Sequence, residues 1–166
     1  MMIWPTYKKQ KKTPVTLICY GLLMSASFIM LQFSSYDALR VSNSPDWLLY
    51  GSQGLFGLTM LLWSFVCVSD PGKLKRDPEL SFVELLDTLE PSSLCPDCEV
   101  IRAPRSIHCD LCSICIDRYD HHCPWVNNCI GKGNFARYYS FITIQFVYLV
   151  SAFATSSICK SLINKS

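Results

Sequence analysis

Between residues 95 and 129 the chain gathers most of the side chains it has that can bind a soft metal or attack a carbonyl. Cys95, Cys98, Cys109, Cys112, Cys115, Cys123 and Cys129 lie there, leaving only Cys19, Cys67 and Cys159 elsewhere, and so do all three histidines, His108, His121 and His122. Thiolates and neutral imidazoles are the ligands zinc prefers, and a structural zinc takes four of them in a tetrahedron. Cys95-x-x-Cys98 and the ladder Cys109, Cys112, Cys115 have knuckle spacing. Seven cysteines and three histidines make ten candidates. Two tetrahedral sites use eight, so two candidates have another purpose. Adjacent residues such as His108 and Cys109, or His121 and His122, point apart and are not expected on one metal. Spacing leaves open whether Cys109/Cys112 or Cys112/Cys115 forms the second knuckle. It favours two interleaved sites over two successive ones.

Whether these thiols are reduced depends on where the chain puts them. Its 166 residues are 50% hydrophobic and 17% charged, against about 25% charged in soluble domains. Three runs carry no charge: Thr13–Tyr36, Trp47–Ser69 and Tyr138–Cys159. Each is longer than the roughly 20 residues a helix needs to cross a bilayer. The polar remainder is too short to cover three such helices as a soluble core, so they read as membrane spans. The first reads as a retained anchor, because its apolar run exceeds the about 7–15 residues of a signal peptide and no Ala-x-Ala site follows.

Lys8, Lys9, Lys11 and Lys12 precede the first span, only Arg40 lies between the first two, and Lys73, Lys75, Arg76, Lys132 and Arg137 separate the second from the third. By the positive-inside rule the N-terminus and the cysteine cluster face the cytosol. Thiols are kept reduced there, so metal binding or catalysis is expected in place of disulfides.

The fold class expected is therefore an α-helical polytopic membrane protein with three membrane helices and a small cytosolic cysteine-rich domain braced by two zinc ions. Its segments are a basic arm (1–12), a first membrane helix (13–36), a lumenal loop (37–46) and a second membrane helix (47–69). A cytosolic linker (70–94), the zinc domain (95–137), a third membrane helix (138–160) and a short end (161–166) follow. Trp47 and Tyr50 suit an interfacial aromatic belt. Gly51, Gly54 and Gly57 predict a smooth ridge on which the second helix packs closely. In the linker, Pro71-Gly72 stops the helix. Asp77-Pro78 reads as the cap and first residue of a short amphipathic helix carrying Phe82, Leu85, Leu86 and Leu89, docked on the domain or membrane surface. No internal repeat is evident in the letters.

Asp120-His121-His122-Cys123 in a cysteine-rich stretch between membrane helices resembles the DHHC family of protein S-acyltransferases. So do Arg105, Pro124-Trp125, Asn128-Cys129-Ile130-Gly131, Asn134 and, after the second helix, Asp70-Pro71-Gly72. The resemblance implies one zinc on Cys95, Cys98, His108 and Cys115, and a second on Cys109, Cys112, His122 and Cys129. It leaves Cys123 as nucleophile, His121 as base and Asp120 to orient and charge the imidazole. It implies palmitoyl-CoA or a similar acyl-CoA as acyl donor, an acyl-enzyme on Cys123, and cysteine-containing proteins at the lipid bilayer as acceptors. No nucleic acid is expected as a partner. An endomembrane location, ER or Golgi, is implied. Lys132, Arg137 and Arg118 are candidates for the CoA phosphates. The chain departs from the family pattern at Arg102-Ala103-Pro104 and Tyr138, and it reads as truncated before the family's fourth membrane helix and Thr-Thr-x-Glu motif. The competing reading is a zinc-braced membrane adaptor, or inactive short form, with no catalysis.

Overall fold

The computed structural model describes residues 14–42 and 47–164, so the basic arm and the tip of the 37–46 loop lie outside the described residues. The chain divides into two compact units, one of Val15–Cys67 and Ala136–Ser166 and one containing Val68–Phe135.

The first unit is built from three helices, α1 (Val15–Ser42), α2 (Trp47–Val68) and the long helix that closes the chain (Phe135–Ile163). Each contains a window long and apolar enough to cross a membrane, and only 11% to 17% of each window is buried by protein. Leu22, Leu23, Met30, Phe33, Phe65 and Phe153 are among the large apolar side chains left open. Exposure on that scale suits a hydrocarbon solvent and not water. The helix α1 runs on to Ser42, past the end of the charge-free run before Asp37.

Aromatic contacts hold the helices together. Phe28 and Phe56 stack with ring centres 4.1 Å apart, Tyr20 lies 5.3 Å from Trp63, and Phe56 lies 5.7 Å from Tyr148. Such pairs add about 0.5–1.5 kcal/mol each beyond area burial. Polar side chains meet inside the bundle at two places: the Tyr20 hydroxyl donates to Gln145 Oε1 at 2.6 Å and Gln53 Nε2 donates to Gln32 Oε1 at 3.0 Å. The packed face of α2 runs through Ser52, Phe56, Thr59, Trp63 and Val66. The expected glycine ridge is not part of it. Gly51, Gly54 and Gly57 have nothing within 4 Å of where a Cβ would stand. They fall on the other side of the helix because the aromatic partners select its opposite face.

The second unit follows α2. A single helix, α3 (Phe82–Thr88), starts at Ser81 and not at Asp77. Asp77 instead closes a tight turn, accepting the Glu79 N–H on its side chain at 3.0 Å. Of the two surfaces expected for this helix, the domain or the membrane, it does not bury itself on the domain: α3 buries no residue, and Val83 and Leu86 are 70% and 48% exposed. One 3₁₀ turn (Pro91–Ser93) then leads into three antiparallel hairpins: β1–β2 (Leu94–Cys95, Val100–Ile101), β3–β4 (Ile107–Cys109, Ile114–Ile116) and β5–β6 (His121–Cys123, Asn128–Ile130). The closing helix is α4.

These hairpins are a repeat. Cys95 pairs with Val100, Cys109 with Ile114 and Cys123 with Asn128. Each pair closes a four-residue turn, and successive turns start fourteen residues apart. The last turn residue has positive φ in all three: Glu99 at 51°, Ser113 at 54° and Asn127 at 48°. The expectation of no internal repeat is thereby corrected. It failed because the matching letters are few, Cys95/Cys109/Cys123, Cys98/Cys112, His108/His122 and Cys115/Cys129 among them, and the residues between them differ, while strand register and backbone shape carry the period throughout.

Candidate metal centres and active site

Strand alternation decides which side chains can meet. In the second hairpin His108 lies opposite Cys115, and in the third His122 lies opposite Cys129. Each such pair offers one nitrogen and one sulfur on a common face. Each turn of the first two hairpins offers two sulfurs, Cys95 with Cys98 and Cys109 with Cys112. The structure joins the turn of one hairpin to the cross-strand pair of the next. Cys95, Cys98, His108 and Cys115 form one group, and Cys109, Cys112, His122 and Cys129 the other, with ligand atoms in each group within 4.8 Å of one another.

Those separations test the fit to zinc. A tetrahedron with Zn–S near 2.3 Å and Zn–N near 2.0 Å has ligand atoms about 3.5–3.8 Å apart. His108 Nδ1 lies 3.5, 3.3 and 3.8 Å from the Cys95, Cys98 and Cys115 sulfurs. His122 Nδ1 lies 3.8, 3.4 and 3.6 Å from those of Cys109, Cys112 and Cys129. The donors fit a zinc ion in both groups. Charge agrees with geometry. Burial, reinforced by neighbouring sulfurs, pushes the Cys115 and Cys129 thiols far up, and burial raises Cys98 as well. Cys95 moves the other way, since hydrogen bonds from Cys115, the Cys98 and Asp97 N–H groups and Arg102 outweigh its burial. Several thiolates packed together in a protein interior need a bound cation to stay ionised.

Cys123 and His121 belong to neither group. Alternation along β5 puts both on the face opposite His122. Cys123 is 3% exposed. His121 is partly open, with Nδ1 3.5 Å from Asp120 Oδ2, and the Asp120 backbone is held by a hydrogen bond from its N–H to the Ile130 carbonyl at 2.9 Å.

The strand opposite Cys123 is anchored. Asn128 donates from Nδ2 to the Ser69 carbonyl at 2.8 Å and accepts the Cys129 N–H at 3.0 Å. Asn134 donates to the Cys129 carbonyl and accepts the Gly131 N–H. The Asp70-Pro71-Gly72 turn fits against the same end: Gly133 N–H donates to the Pro71 carbonyl at 3.1 Å and Asp117 N–H to the Gly72 carbonyl at 2.8 Å. Gly72 sits at φ 95°, a conformation side chains rarely allow. The Asp70 carboxyl is held below its usual range by backbone N–H groups of Lys73 and Gly72.

Beside Asp120 lies a cleft of about 340 Å³ lined by Arg105, Arg118, Tyr119, Asp120, Lys132 and Phe135. Three cations face one carboxylate there, with Lys132 also 2.9 Å from Asp117. Burial and the neighbouring Cys109 and Cys129 push the Tyr119 phenol up to about 12, so it stays neutral. Of the cations singled out in the sequence, Arg118 and Lys132 line this cleft and Arg137 does not; Arg105 was marked only as a motif match. The anchoring by Asn128 was also missed, and nothing in the letters signals a hydrogen bond across 59 positions.

Fold and site together define an integral membrane protein whose cysteine-rich unit holds two Cys₃His metal centres and, apart from them, a cysteine and a histidine. Residues 88–165 match the DHHC palmitoyltransferase family, and that stretch carries the family's domain. It is similar to the palmitoyltransferase ZDHHC4 of Bos taurus, 37% identical over 99 residues that make up 57% of this chain and 28% of the relative. It is also similar to the palmitoyltransferase SWF1 of Kluyveromyces lactis, 47% identical over 62 residues (37% and 19%). A third relative, the palmitoyltransferase ZDHHC5 of Bos taurus, is 30% identical over 159 residues (89% and 22%). The chain thus spans less than a third of the length of these relatives.

Proposed function

We propose that this chain carries the catalytic centre of a protein-cysteine S-acyltransferase, with Cys123 as nucleophile. One observation carries the reading: the ligand groups account for eight of the ten cysteine and histidine side chains of residues 95–129 and leave a thiol and an imidazole on one face of one strand. His121 takes the Cys123 proton, and Asp120 orients the imidazole and stabilises its charged form. The sulfur attacks the thioester carbonyl of a long-chain acyl-CoA. The carbon–sulfur bond to CoA breaks, and the departing CoA sulfur takes the proton back from His121. A protein cysteine then repeats the exchange, releasing the acyl group from Cys123 as a new thioester. Burial of Cys123 protects the acyl-enzyme from water.

Zinc on Cys95, Cys98, His108 and Cys115, and on Cys109, Cys112, His122 and Cys129, would supply folding energy and fix the hairpins. The Arg105, Arg118 and Lys132 cleft suits the phosphates of CoA. Each buried methylene is worth about 0.8 kcal/mol, so the acyl chain belongs in the bilayer or among the helices. Basic flanks support a cytosolic unit, and the resemblance to the family supports an endomembrane such as ER or Golgi, with cysteine-bearing proteins at its surface as acceptors.

The test uses the protein in membranes, supplied with a labelled acyl-CoA. Cys123→Ser should keep two zinc equivalents yet lose hydroxylamine-labile label, whereas Cys112→Ser should lose metal and label together. A Cys123→Ser protein that sheds zinc makes Cys123 a ligand and ends the proposal. One that keeps its label moves the nucleophile elsewhere.

A further inference from the structure

The repeat shows what sets Cys123 apart from the other turn cysteines. Cys95, Cys109 and Cys123 occupy the same place, the last strand residue before the turn, each with its cross-strand partner in the same register. The third turn residue is Cys98 in the first hairpin, Cys112 in the second and Val126 in the third. The residue after it adopts positive φ in every case, so the third turn keeps the backbone shape of a metal knuckle. Val126 is 1% exposed beside Cys123 at 3%. In the first two turns the sulfurs at these two places lie within 4.8 Å of each other.

We propose that Val126 is a specificity-determining residue. By setting an alkyl group where the preceding turns carry their second sulfur, it denies Cys123 a chelating partner and leaves that thiol free of metal. The inference rests on the reading of Cys123 as nucleophile only for the use the free thiol is put to.

The physical argument is chelation. A single thiolate holds zinc weakly, and a second one fixed within a few ångströms acts at an effective concentration in the millimolar range or above. The turn already has the knuckle conformation, so a thiol at position 126 would need no rearrangement to pair with Cys123. Among the described residues no further hairpin offers a histidine–cysteine pair to complete a third tetrahedron. A two-sulfur site completed by water is therefore what the substitution would create. Cysteine is slightly smaller than valine and packs as an apolar side chain, so the core should accept it.

The experiment compares wild type, Cys123→Ser, Val126→Cys, Val126→Ala and the double variant Val126→Cys/Cys123→Ser of the membrane protein, purified in detergent and equilibrated with buffered micromolar free zinc. Metal is counted on the washed protein. Wild type, Val126→Ala and the double variant should hold two zinc equivalents and Val126→Cys three. In Val126→Cys the acyl label on Cys123 should fall at least about tenfold and return when a mild chelator removes only the third equivalent. Should Val126→Cys lose structural zinc, Val126→His supplies a ligand at the same place and is read in the same way. The inference is overturned if a ligand-bearing variant keeps two equivalents and wild-type labelling, or if wild type itself takes a third equivalent lost in Cys123→Ser. Absence of label from every chain, with the zinc counts as expected, would remove the acyl-transfer reading and leave this one standing.

Discussion

Gly133→Ala should be among the more damaging methyl additions in the cysteine-rich unit. A Cβ at Gly133 would stand 2.5 Å from the Asp70 carbonyl oxygen, 2.7 Å from the Gly72 nitrogen and 3.0 Å from the Pro71 carbonyl carbon. All three are backbone atoms, so no side chain can rotate away. Relief requires the turn after α2 to lift off, which breaks the Gly133-to-Pro71 and Asp117-to-Gly72 hydrogen bonds of 3.1 and 2.8 Å. Overpacking costs about 1–3 kcal/mol and each lost hydrogen bond about 1 kcal/mol. The two are alternatives in part, so the net is roughly 2–4 kcal/mol. For a unit of this size about 1 kcal/mol shifts a thermal midpoint by about 4–8 °C. The midpoint of heat-induced zinc release, followed with a chromogenic chelator, should therefore drop by about 10 °C or more. Gly54→Ala is the control: nothing lies within 4 Å of its new methyl, and its midpoint should match wild type. A Gly133→Ala protein within a degree or two of wild type would refute the seating of the Asp-Pro-Gly turn against this glycine.

Asn128→Ala removes two buried hydrogen bonds and should lower stability by about 2 kcal/mol; Asn128→Asp should do no better, because a carboxylate cannot donate to the Ser69 carbonyl, and chemical denaturation of the unit reads both. Arg105→Ala should raise KM for acyl-CoA about tenfold or more by removing a charge-assisted phosphate contact, with little change for a short acyl thioester that lacks phosphates; an equal loss on both donors would place Arg105 elsewhere in the mechanism. A glycosylation tag inserted at residues 43–46 should be modified and one beside Ser92 should not; the reverse pattern would invert the proposed orientation.

The membrane helices were legible because a charge-free run is a property of composition alone, and a bilayer selects on composition. The metal clusters were legible as a count: ten ligands in two tetrahedra leave two over. Which residues group was not legible from spacing and came only with the family resemblance. Interleaving depends on His108 lying across from Cys115 and His122 across from Cys129, and strand register is set by turns whose chemistry is not uniform. Asp77 misled because Asp-Pro opens turns as readily as helices. The glycines of α2 misled because small residues permit close packing without requiring it. The cleft beside Asp120 draws Arg105, Arg118 and Lys132 from three separate loops, and no local pattern announces such a meeting.

The middle hairpin, β3–β4, gives His108 and Cys115 to one metal group and Cys109 and Cys112 to the other. An ion bound in either group must first order this hairpin, and once ordered it presents two of the other group's four ligands at a reduced entropic cost. Metal uptake should then be cooperative, with occupancy passing from empty to full over a narrow range of free zinc. On the role proposed above for Cys123, whose hairpin also carries His122 and Cys129, the supply of nucleophile should follow the zinc level as a threshold and not in proportion to it.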